Sequence, residues 1–134
     1  MANEQKTPVL WNVILWTAQV TLAAGFIWAA CMKLFKPADQ LAAMWPWTAG
    51  NAWLVKLTGV LDLLAGLGLI LPQLLRIRPV LTIYAAYGTI ALMVAASIFH
   101  IARGEAALIG VNIFFAVLAG LIAWGRSKKV PVRS

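Results

Sequence analysis

The chain has 134 residues, of which 63% are hydrophobic and only 11% charged. A soluble domain carries about 25% charged residues, so this chain has too few to coat a water-facing surface and lipid must cover much of it. Its net charge of +7 comes from 11 Lys and Arg against 4 Asp and Glu. These basic residues sit at the ends of apolar runs and form no continuous stripe, which argues for membrane orientation and against nucleic acid. The length fits one domain, residues 1–134.

A helix needs about 20 mostly apolar residues to cross the bilayer. Four segments qualify: Val9–Phe35, Trp53–Leu71, Pro79–Phe99 and Ala106–Trp124. The first ends at Lys36-Pro37. It is too long for the apolar core of a cleaved signal, and Lys33 and Lys36 do not suit a cleavage site. Trp28-Ala29-Ala30-Cys31 is a poor lipoprotein site for the same kind of reason: Trp28 fits badly and Cys31 lies deep. As the single cysteine, Cys31 can form no disulfide within the chain and no C-x-x-C pair, and reads as a small hydrophobe.

The connection from Lys36 to Ala52 is the longest. Leu41, Met44 and Trp45 fall at helical spacing there, as expected either of a short surface helix or of a loop packed on the bundle. Pro72 is expected to end the second span, and Pro79 to open the third, where its missing N–H costs nothing. His100-Ile101-Ala102-Arg103-Gly104 precedes the fourth span, and Gly125-Arg126 closes it.

Charge sets the expected orientation. Lys6, Arg76, Arg78, Arg126, Lys128, Lys129 and Arg133 fall on one side, and Lys33, Lys36, Lys56 and Arg103 on the other. Seven against four makes the first side, with both termini, cytoplasmic. Trp11 and Trp124 mark the inner interface, and Trp45, Trp47 and Trp53 the outer one.

Helices in lipid meet through small and polar residues. In the second span Val55, Thr58, Gly59, Asp62, Ala65, Gly66 and Leu69 share a face, opposite a leucine-rich one. The expected inward stripes elsewhere are Asn12, Trp16, Gln19, Ala23, Phe26, Ala30 and Lys33 in the first span; Tyr84, Tyr87, Ala91 and Ala95 in the third; and Glu105, Leu108, Asn112, Ala116 and Ala119 in the fourth. The fold class is all-α, a four-transmembrane-helix up-down bundle.

Asp62 is the residue that demands an explanation. It lies about 14 Å into its span, where a bare carboxylate costs at least ~2.5–3.5 kcal/mol. Lys33 is the best cationic partner, since the antiparallel helices tilt the two side chains toward each other. Gln19 and Tyr87 sit at similar depth as hydrogen-bond donors. Two readings stand: a polar clasp that fixes helix register, or a site that binds a ligand or moves a proton. At the outer end His100, Arg103 and Glu105 either cap a helix end or line the mouth of a cavity leading to Asp62. One histidine supplies neither two haem ligands nor a typical zinc site, and Gly66-Leu67-Gly68 lacks the strand and third glycine of a nucleotide loop.

Two stretches resemble the DoxX-like family of small bacterial integral membrane proteins. One is Gly25-Phe26-Ile27-Trp28-Ala29-Ala30-Cys31-Met32-Lys33-Leu34, in which small residues lead to Lys-Leu. The other is Gly59-Val60-Leu61-Asp62-Leu63-Leu64-Ala65-Gly66-Leu67-Gly68-Leu69-Ile70-Leu71-Pro72, an acidic residue before a Leu- and Gly-rich run closing with Pro. The family more often has glutamate in place of Asp62. The resemblance covers roughly residues 10–128 and implies a four-helix protein of the bacterial cytoplasmic membrane. Some relatives are associated with quinone-linked oxidation of sulfur compounds or with redox complexes; no catalytic residue carries over. The resulting expectation is an accessory or anchor subunit for an oxidoreductase partner, near quinone, without independent catalytic activity. The alternatives are a module that binds lipid or another membrane protein, and a proton-coupled transporter, which at this size would need a homo-oligomer.

Overall fold

The computed structural model describes residues 2–132, with side chains from Pro8 onward. Lys6 and Arg133, both counted in the expected charge asymmetry, therefore lie outside the described side chains. The elements in chain order are α1 (Ala2–Phe35), α2 (Ala38–Met44), a 3-10 turn (Pro46–Thr48), α3 (Ala52–Leu74), α4 (Leu81–Ala102), a second 3-10 turn (Ala106–Ile109) and α5 (Gly110–Trp124). A wide π-type turn, Gly125–Lys129, continues α5.

Four segments are long and apolar enough to cross a membrane: Pro8–Phe35, Ala52–Leu74, Leu81–Ala102 and Ala106–Lys129. They form a ring in which α1 neighbours α3 and α5, and α4 neighbours α3 and α5. The ring closes on Ala18, Leu22, Phe26, Leu69, Ala86, Met93, Ala119, Ile122 and Ala123. Alanines make up much of that core because helices in lipid gain by close backbone approach and not by expelling water. Leucine, valine and isoleucine instead cover the outside, as at Val60, Leu64, Val94, Ile98 and Val117.

Glycines set the α1–α3 distance. A methyl group on Gly66 would stand 2.8 Å from Ile27 Cγ1 and 3.2 Å from the Ala23 carbonyl oxygen. One on Gly59 would stand 3.0 Å from Lys33 Cβ. The two glycines are seven residues apart, two turns on one face, so a continuous groove receives α1.

Four boundaries, on three of the spans, differ from the sequence expectation. Pro72 does not stop α3, which runs to Leu74; a proline so near the end removes one donor, and Leu75 N still bonds Leu71 O at 2.9 Å. α4 opens at Leu81, after a Pro79-Val80 turn, and runs past Phe99 to Ala102. The last span does not close at Gly125-Arg126, because the π turn carries both residues inward, where they are buried.

The connection after α1 forms the short helix α2. Leu41 packs inward at 3% exposed while Met44 stays exposed, so the segment is both helical and seated on the bundle. At the opposite end, the end of both termini, Trp11 and Trp124 meet edge to face at 5.3 Å. Lys129 Nζ lies over both rings, at 5.8 and 5.4 Å.

Candidate functional site

At the loop end of the bundle, Lys33 Nζ donates to Asp62 Oδ2 at 2.8 Å. The side chains are 13% and 5% exposed. Lys33 comes from the last turn of α1, and Asp62 from the face of α3 that Gly59 and Gly66 bring close. Lys56 Nζ caps the same end of α1, donating to the carbonyls of Lys33 and Leu34 at 3.3 and 3.0 Å.

Trp47 joins this pair to the expected mouth residues. Its ring centroid lies 5.4 Å from Lys33 Nζ, and it meets the edges of Phe99 at 5.8 Å and His100 at 6.3 Å. His100 Nδ1 stands 3.2 Å from Glu105 Oε1, and Arg103 Nε donates to the same oxygen at 2.8 Å. The Arg103 hydrogen bond, helped by His100, holds the Glu105 carboxyl below its ordinary value of 4.5. Trp47, Phe99 and His100 thus form an aromatic cluster beside the Lys33–Asp62 pair, and neither of the two cavities described below includes Asp62.

Tyr87 does not join Asp62. It is 56% exposed on the outside of α4, as is Tyr84 at 62%. The inward face of α4 is instead Thr82, Ile83, Ala86, Thr89 and Met93, and Ala91 and Ala95 face outward with the tyrosines. The reason is size, since a threonine packs inside more compactly than a phenol; Thr89 Oγ1 also bonds its own helix at Ala85 O, 2.8 Å away, while Thr82 Oγ1 is buried without a partner among the described residues. In the last span Leu108 also faces outward, while Asn112 and Ala116 are half-buried and Ala119 is buried.

Gln19 does not reach Asp62 either; it belongs to a second polar cluster at the termini end. Its centre is Arg126, fully buried at 0% exposed. Arg126 Nε donates to Gln19 Oε1 at 2.8 Å, and Nη1 to Asn12 Oδ1 at 2.8 Å. The guanidinium also lies 5.6 Å from the Trp16 ring centroid. Gln19 Nε2 then donates to Leu69 O at 2.7 Å and Gln73 Oε1 at 3.2 Å. All partners are neutral, and Arg126 Nη2 is buried without one among the described residues. From the sequence, Arg126 read as one more interfacial charge. The signal for its burial was Asn12, an amide on the inward stripe of α1 for which the sequence offers no partner, on the same stripe as Gln19, which was expected at Asp62.

Two cavities accompany these clusters. One, of about 390 Å³, opens at the termini end between Trp16, Gln73, Leu74, Arg76, Pro79 and Val132. The other, of about 350 Å³, is a groove along α4 and α5 lined by residues including Met93, Val94, Ser97, Ile98, Asn112 and Val117. Asn112 Nδ2 is buried with no hydrogen-bond partner among the described residues, and Ser97 Oγ is committed to Met93 O at 2.8 Å. Among the described residues no three His, Cys, Asp or Glu side chains cluster as metal ligands.

The family model described as the DoxX-like family matches residues 17–122. No curated protein and no solved structure matches the chain. The chain belongs to the DoxX-like family, as its Lys-Leu and Asp62 segments resembled.

Proposed function

We propose that this DoxX-like membrane protein is an accessory subunit that holds a quinone-type ligand beside an oxidoreductase partner and has no independent catalytic activity. The observation that carries the reading is the Asn112 amide. A buried N–H donor without a partner costs ~1–3 kcal/mol, and the residue that carries it here also lines an apolar groove between α4 and α5. A planar ligand with a carbonyl acceptor and a hydrocarbon tail matches that pairing of one donor with apolar walls. A bound quinone would supply the redox chemistry. The residues of the chain would donate to its carbonyl from Asn112 and hold its ring between Met93, Val94, Ile98 and Val117. The Lys33–Asp62 pair then serves as a clasp that fixes the register of α1 on α3.

The test is mild-detergent purification from native membranes, with mass spectrometry of an organic extract and of co-purifying proteins. Near-stoichiometric quinone together with an oxidoreductase subunit is expected. Asn112→Leu, close in volume, should lose the quinone while its thermal unfolding stays near wild type. Quinone retained equally by the variant, or phospholipid alone in the wild-type extract, refutes the assignment; the second result favours the lipid-binding alternative. The reading includes a bacterial cytoplasmic-membrane location with both termini inside, supported by Arg76, Arg78, Lys128 and Lys129 at the termini end. A reporter fused at the C-terminus that is active only when exported should be silent.

A further inference from the structure

The Arg126 cluster is not used by that reading, and among the described residues no carboxylate pairs with it. A buried guanidinium ordinarily sits beside a carboxylate. Among the described residues Arg126 has only amide oxygens and the Trp16 face, and one of its nitrogens, Nη2, has no partner. The other described carboxylates that pair, Asp62 and Glu105, are engaged at the opposite end of the bundle.

The cavity at the termini end shares two walls with this cluster. Trp16 carries the guanidinium against its ring, and Gln73 is tied to Arg126 through Gln19. Because Gln73 Oε1 accepts from Gln19, the Gln73 amide NH2 remains to donate. Arg76 places an exposed guanidinium in the lining itself. Arg76 and Arg78 both hold left-handed backbone, with φ of 57° and 47°, a conformation that side-chain-bearing residues adopt sparingly. Leu74, Pro79 and Val132 make the remaining wall apolar.

We infer that this cavity binds a phosphate group, through Arg76 and Gln73, with the buried Arg126 guanidinium joined to its wall through Trp16 and Gln19. Arginine suits the group because its planar fork meets two phosphate oxygens at once. A phospholipid headgroup and free phosphate share that chemistry. The apolar wall of Leu74 and Trp16 gives an acyl chain a path into the bilayer, which a free anion would not use.

The experiment uses the full chain in neutral detergent, with dioleoyl phosphatidylglycerol, dioleoyl phosphatidylcholine and inorganic phosphate as separate probes. Lipid retention is read by native mass spectrometry, and phosphate by the thermal unfolding midpoint against chloride at matched ionic strength. Arg76→Gln removes a lining charge, and Arg78→Gln removes one outside the lining. One basic side chain near an anionic headgroup is worth a factor of about five in affinity. Wild type and Arg78→Gln should retain phosphatidylglycerol over phosphatidylcholine, and Arg76→Gln should lose that preference about fivefold. A phosphate-specific midpoint rise that Arg76→Gln removes, without lipid selectivity, supports the site with free phosphate as its source. Equal retention of the two lipids with no phosphate-specific rise overturns it. So does an Arg78→Gln loss as large as that of Arg76→Gln, since general charge would then be responsible.

Discussion

Removing one partner of the Lys33–Asp62 pair should cost more than removing both. The bond is 2.8 Å long and the side chains are 13% and 5% exposed, so solvent replaces neither partner well. Loss of one member of such a pair costs ~3–5 kcal/mol, while an apolar replacement of both is often neutral or stabilising. The two single changes should also differ. Lys33 lies two residues from the end of α1, and its long stem lets an orphaned ammonium rise toward the interface. Asp62 lies ten residues past the first residue of α3, about 15 Å along the axis, and has no such route. Lys33→Met should therefore lose ~3 kcal/mol or more, and Asp62→Leu less. The double variant should come within ~1 kcal/mol of wild type, because a leucine at position 62 meets an apolar neighbour. Equilibrium unfolding by SDS titration from maltoside micelles, followed by tryptophan fluorescence, measures all four proteins. A double variant less stable than Lys33→Met refutes the clasp, since both residues would then contribute something beyond their mutual charge.

Gly66→Ala should destabilise by ~1–3 kcal/mol in the same titration, because the new methyl would meet Ile27 and the Ala23 carbonyl at 2.8 and 3.2 Å. Gly88→Ala, with nothing within 4 Å, should be neutral or gain up to ~1 kcal/mol from helix propensity; equal losses at the two sites would show that close approach is not the cause. Glu105, whose carboxyl is held below 4.5 by Arg103 and His100, adds stability above its unfolded value and loses it as pH falls through the lowered folded one. The thermal midpoint difference between wild type and Glu105→Gln should therefore be constant from pH 7 to about 5 and vanish below the folded value. A difference that grows on acidification contradicts the pairing.

The four crossings were legible because twenty apolar residues in a row have few other structures available. The inward face of α3 was legible for a related reason: Gly59, Asp62 and Gly66 gain nothing from lipid, and Val60, Leu61, Leu64 and Leu67 do, and they are buried and exposed accordingly. On α4 the same logic failed, since polarity there does not index the face. Thr82 and Thr89 go inside, with Thr89 satisfied by its own helix, and the two tyrosines go outside, where a ring with one polar tip tolerates lipid. Lys33 and Asp62 were found together because depth and tilt both pointed there. Arg126 was missed because its burial depends on the π turn after Trp124, an irregularity that no hydrophobic period announces.

The distribution of polar contacts over the ring explains why a ligand groove would lie where it does. In lipid, helices are held by packing and by hydrogen bonds between them. α1 is tied to α3 by the Lys33–Asp62 pair and by Gln19 on Leu69 and Gln73, and to the turn after α5 by Arg126 on Asn12 and Gln19. α4 differs. Among the described residues, the hydroxyls of Thr89 and Ser97 bond within their own helix, and His100 reaches only the loop carboxylate of Glu105. No side-chain hydrogen bond joins the body of α4 to α3 or α5, so packing alone positions it. A ligand that accepts from Asn112 on α5 while lying on Met93, Val94 and Ile98 would connect these two helices through a buried donor that, among the described residues, has no partner. The groove thus falls on the seam that the protein's own polar side chains leave unfastened.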